Sequence, residues 1–158
     1  MPPNRHVVKP NSAQDPAASA ALCGSRFDRA PSDCYYVDCV RFRNPETINL
    51  CKHLGFHHLI CKSVIAHKAF VPEMTAILAH IKGNPSARIF FQCNAGKHRS
   101  VAMANLTRQV LRTKGVPSAI TFLSEWNWST FQLACKDENC TPCAKAPDNF
   151  RIAVAAWD

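Results

Sequence analysis

The stretch ARIFFQC at 87–93 constrains this chain more than any other. Its apolar residues run without polar alternation, which marks a strand buried on both faces and therefore the interior of a parallel sheet. Asn94, Ala95 and Gly96 supply a tight turn, and Met103, Leu106 and Val110 then share one face of a helix from about His98 to Lys114, closed by Gly115 and Pro117. SAITFLSEW, from Ser118, reads as the next strand. Upstream, CYYVDCVRF (Cys34 to Phe42) is dense in aromatic and branched residues and is stopped by Asn44-Pro45. A helix follows in which Met74, Ile77, Leu78 and Ile81 recur at helical spacing after Pro72, ending at Gly83-Asn84-Pro85. This order predicts a single α/β domain, a mainly parallel sheet of βαβ units with right-handed crossovers.

A length of 158 residues suits one domain. Residues 1–21 are rich in Pro, Ala, Ser and Asn and are expected to form a disordered tail. The domain is expected over 22–130, and 131–158 reads as a cysteine-containing extension. No segment approaches the roughly 20 apolar residues of a membrane span, and the polar start lacks a signal-peptide core, so the expectation is a cytoplasmic protein without a membrane partner. The formal net charge of +8 favours acidic partners such as phosphates, RNA or anionic metabolites. Nine cysteines are an odd number, which argues for reduced thiols over a secreted disulfide framework.

Lys97, His98 and Arg99 follow the turn in direct succession. Ligands of open α/β sheets bind at the carboxyl ends of strands, where the next helix offers unpaired N–H groups and the positive end of its dipole. The loop Asn94, Ala95, Gly96, Lys97, His98, Arg99 and Ser100 occupies that place, so an oxyanion, phosphate before others, is the expected ligand. Arg99 would fork hydrogen bonds onto it while Lys97 and His98 add charge. Cys93 to Arg99 also satisfies Cys-x5-Arg, the phosphate loop of cysteine-dependent phosphatases, in which a thiolate attacks phosphorus. That chemistry needs a proton donor, and between Asp38 and Cys93 the only carboxylates are Glu46 and Glu73.

A wider match is carried by FFQCNAGKHRSVAMANLTRQVLRTKG, which resembles the GCTGGKHRSV strand, turn and helix in the C-terminal domain of the RapZ family of RNase adapter proteins. SDCYYVDCVRFRNPE resembles that family's DVRFLPNPH segment, and GSRFDRAPSD is similar to the stretch before it, so the resemblance covers roughly Cys23 to Trp126. It implies a loop that binds a phosphorylated amino sugar, together with small-RNA binding and assembly into homo-oligomers. By position it assigns ligand binding to Arg41 and Asn44 as well as to Asn94 through Ser100. Asn94-Ala95 replaces the family's Thr-Gly, and the Walker-type nucleotide domain has no counterpart in this chain, so ATP or GTP binding is not implied.

Cys135, Cys140 and Cys143 form C-x4-C-x2-C, whose CTPC end has the spacing of two thiolates on one tetrahedral metal. A structural zinc, a redox pair and plain thiols all fit; a fourth ligand would come from a distant residue such as Cys23, Cys34 or a histidine. No cofactor other than zinc is suggested. Trp126, Trp128 and Trp157 are expected to cap the core, His57 and His58 to sit at the surface, and His53, His57, His58, His67 and His80 show no metal spacing. Lys62 and Lys68 are expected to be solvated lysines on a helix face.

Overall fold

In the computed structural model, which describes residues 19–43, 48–125 and 140–158, the apolar run forms strand β3 (Arg88–Gln92). Ile89, Phe90 and Phe91 are buried on its two faces. β3 lies between β1 (Ser19–Gly24) and β2 (Tyr35–Asp38), and β4 (Ser118–Phe122) pairs with the far side of β1. The order is β2-β3-β1-β4 and each pairing is parallel, with Tyr36, Phe90, Leu22 and Thr121 forming one row across the sheet. The fold is thus the expected α/β single domain.

Two boundaries need correcting. The tail expected over 1–21 gives way to strand at Ser19, and residues 1–18 lie outside the described residues. SAALCG has a weak strand signal because Ser and Ala carry little β preference. It forms here because β3 and β4 supply hydrogen-bond partners on both edges. The expected strand from Cys34 to Phe42 keeps only Tyr35–Asp38, after which the chain turns and buries Phe42.

Between β2 and β3 run α1 (Ile48–Cys51), α2 (His58–Ala66) and α3 (Phe70–Gly83). Pro72 sits in the first turn of α3, where its missing N–H has no intrahelical acceptor to lose. Between β3 and β4 runs α4 (Arg99–Thr113), and its end is a Schellman turn: Val116 N donates to Leu111 O at 2.9 Å and Gly115 N to Arg112 O at 3.1 Å. Both connections step the same way across the sheet, so crossovers of one hand put their helices on one face. There α4 packs on β1, β3 and β4 and against α2 and α3. Its first two and a half turns are buried all round, from Arg99 to Thr107.

The segment expected as an extension from 131 onward is part of this core where it is described. α5 (Thr141–Ala144) and α6 (Phe150–Ala155) follow, and Cys143, Ala153 and Ala156 join the buried cluster. Trp157 packs on the core with Lys82 Nζ 4.3 Å from its ring centre, while Trp126 and Trp128 lie outside the described residues. Among the described residues no helix is long and apolar enough to cross a membrane.

Candidate functional site

β3 delivers Cys93 to the carboxyl edge of the sheet, where its N–H donates to Gly24 O at 3.2 Å and so prolongs the ladder with β1. Asn94 O accepts from Arg26 N at 3.2 Å. Gly96 then reverses the chain at φ 66°, and a Cβ on it would stand 2.8 Å from both Gly24 C and Ser25 N. Glycine is required there twice over, for its backbone conformation and for its contact with the end of β1. That end is itself held: the Asp28 carboxylate accepts from Ser25 N at 2.7 Å and from the hydroxyls of Ser25 and Ser124, while Gln92 Nε2 donates to Ser25 O and Asp28 O.

On its other side the loop leans on residues 51–55. Gly55 N donates to Lys97 O at 2.9 Å, Lys97 Nζ to Cys51 O at 2.9 Å, and His98 Nε2 lies 2.8 Å from His53 O. A carbonyl can only accept, so Nε2 carries the proton. Burial, helped by the neighbouring Lys97 charge, pushes the His98 pKa down to about 4. His98 is therefore neutral at pH 7 and adds no charge to the loop, a departure from the expected role. The crowding of three cations is relieved in part by removing one of them.

The remaining loop atoms converge. Cys93 is buried, with Sγ 3.2 Å from Ser100 Oγ. Burial pushes the thiol up, but hydrogen bonds from the Ser100 hydroxyl and from the backbone amides of Ser100, Lys97 and Gly96 outweigh it, and the net shift is downward from 9.0. Such amides at a helix start favour an anion, here the thiolate. Its neighbours behave oppositely, since burial and the nearby Cys93 raise both Cys23 and Cys39.

Arg99 is 5 % exposed. Its Nη1 donates to Val40 O at 2.5 Å and Phe42 O at 3.1 Å, while Nε is buried and has no hydrogen-bond partner among the described residues. The turn after β2 thus positions the guanidinium and leaves its Nε–H unclaimed by any described residue. Arg41, expected in the same site, pairs instead with Glu73 on α3. Asn44 and Glu46 lie outside the described residues. Lys62 pairs with Asp148 at 3.0 Å on the surface.

A second group gathers beyond the loop. His53 Nδ1 lies 3.5 Å from Cys140 Sγ and 3.5 Å from Cys143 Sγ, and the ligand atoms all fall within 4.8 Å of one another, a group that could hold a metal ion. Cys135 lies outside the described residues, Cys23 belongs to β1 and Cys34 precedes β2. The histidine was not legible as a ligand, because 87 residues separate it from Cys140 and no local spacing links them. His57, expected at the surface, is buried and caps α2, its Nδ1 accepting from Leu59 N at 3.1 Å.

No protein-family model matches this chain, and no curated protein sequence does.

Proposed function

We propose that residues 93–100 recognise the phosphoryl group of a small molecule and that the protein is a binding or regulatory module. The observation that carries this reading is Arg99, a buried cation whose Nε–H has no acceptor among the described residues, beside a loop whose amides converge on the Cys93 sulfur. An unsatisfied buried donor costs about 1–3 kcal/mol, more on a charged group, and an oxyanion offers the missing acceptor. The resemblance to the RapZ C-terminal domain supports an amino-sugar phosphate as the ligand class. With the net charge of +8 it also supports RNA as a partner, tested by retention that weakens steeply as salt rises.

The deciding measurement is thermal unfolding with glucosamine-6-phosphate, inorganic phosphate and glucosamine. The phosphorylated sugar should stabilise the chain by about 2.7 kcal/mol at a hundredfold excess over Kd, inorganic phosphate less, and glucosamine not at all. Arg99→Lys keeps the charge but loses the planar fork, and should lose most of the shift while circular dichroism stays native. Equal shifts in the two proteins would overturn the proposal. Arg99→Ala is the poorer probe, since it also strips the Val40 and Phe42 carbonyls of a donor.

A second reading is favoured by the lowered Cys93 thiol and its contact with Ser100. In a cysteine-dependent phosphatase the Cys93 thiolate forms a sulfur–phosphorus bond as the ester oxygen leaves with its electron pair. Water then cleaves the thiophosphate, and the Ser100 hydroxyl donates to the departing thiolate. Glu73, a candidate acid for the leaving group, is ion-paired with Arg41. The reading therefore predicts turnover of p-nitrophenyl phosphate, whose leaving group needs no proton, and its loss in Cys93→Ser. Alkylation of Cys93 should titrate below the ordinary thiol value of 9.0; a midpoint at or above it removes this reading.

A further inference from the structure

The cluster between the 51–57 turn and the C-terminal helices is placed like a coordination shell. Cys140 and Cys143 stand at the two ends of one turn, where Cys143 N and Ala144 N both donate to Cys140 O at 2.9 Å, and this brings the two thiols to one side. Both sulfurs reach the same imidazole nitrogen, at 3.5 Å each. That nitrogen has either one lone pair or one hydrogen to offer, so one ordinary hydrogen bond to it does not account for both approaches. A shared cation explains both. With Zn–S near 2.3 Å and Zn–N near 2.0–2.1 Å, a tetrahedral ion puts its sulfur and nitrogen ligands about 3.5 Å apart. The His57 ring, edge-on to His53 at 4.7 Å between centres, helps hold the imidazole in place.

We propose that His53 Nδ1 and the Cys140 and Cys143 thiolates bind a zinc ion. Thiolate ligands select zinc over magnesium or calcium, and two thiolates with a neutral imidazole balance a divalent charge. Each thiol releases its proton to solvent as its bond to the metal forms, with no change of oxidation state. The ion ties residue 53 to residues 87 and 90 positions further along the chain. It also steadies the residue whose carbonyl accepts from His98 at the head of α4. The metal site stands independently of the phosphoryl reading, since neither thiol belongs to the 93–100 loop.

Purified full-length protein, prepared with zinc and a thiol reductant, should hold one equivalent by elemental mass spectrometry. With cobalt in its place it should show thiolate charge-transfer absorption and the strong visible bands of a tetrahedral ion. Cys140→Ser, Cys143→Ser and His53→Ala should each lose the stoichiometric metal. His53→Cys should keep it and raise the charge-transfer absorption by about half, as three thiolates replace two; this arm reports on ligation even where the alanine variant fails to fold. Wild-type protein without stoichiometric zinc or a cobalt–thiolate band would overturn the proposal. So would His53→Ala retaining metal as tightly as wild type, or a Cys140–Cys143 disulfide that forms equally with and without zinc.

Discussion

Gly96 and Gly115 have nearly the same left-handed backbone, φ 66° and 70°, in opposite surroundings. An added Cβ at Gly115 meets nothing within 4 Å, whereas at Gly96 it meets the backbone of Gly24 and Ser25. Gly115→Ala should therefore cost only the conformational penalty of about 1–2 kcal/mol. Gly96→Ala should cost clearly more and abolish phosphate-dependent stabilisation. Urea unfolding of the two variants, with and without inorganic phosphate, checks the contrast; equal losses would show that the loop does not rest on β1. At this scale the turn glycine was legible in the sequence, and Arg99 was singled out there as a donor. Its anchoring by the Val40 and Phe42 carbonyls was not, because backbone acceptors carry no residue signature.

Among the elements, α4 was readable in outline from Met103, Leu106 and Val110, and the observed Arg99–Thr113 agrees with that periodicity. The periodicity does not disclose how tightly the helix start is enclosed. A Cβ on Gly55 would lie 2.0 Å from His98 O and 2.4 Å from Ala102 N, in the first turn of α4, where backbone cannot yield as a flexible side chain does. Gly55→Ala should thus unfold the chain or displace the loop, losing ligand stabilisation together with several degrees of melting temperature. A variant that melts and binds as wild type would mean that the 53–55 turn does not support the helix. Met103→Ala, deep in the same helix but away from the loop, should cost about 2–5 kcal/mol and leave ligand binding intact in the folded fraction.

Across the whole molecule, the loop after β1 is tied to the end of β4 by Asp28, which accepts from the Ser124 hydroxyl and from Ser25. Burial raises the Asp28 pKa, but those hydrogen bonds outweigh it and the net shift is downward from 3.8. A depressed carboxylate contributes stability that is fully present above its unfolded value of 3.8 and is lost as pH falls through its folded value. Asp28→Asn should accordingly melt below wild type at neutral pH, and the gap should narrow as the medium is acidified through that range. A gap independent of pH would assign the effect to packing instead of charge.

The parallel sheet, the strand-to-helix turn and the basic loop were determined locally, by an apolar run with no polar alternation and by a glycine where the chain must reverse. Neighbouring residues produce those signals, so one stretch of sequence suffices to read them. Tertiary structure alone decided what depends on distant partners. β1 exists because two strands flank it, His98 is neutral because folding buries it, and His53 meets Cys140 and Cys143 only after the chain has folded back across 87 residues. Burial and cross-chain contact set protonation states and ligand groups, and neither is a property of local residue spacing.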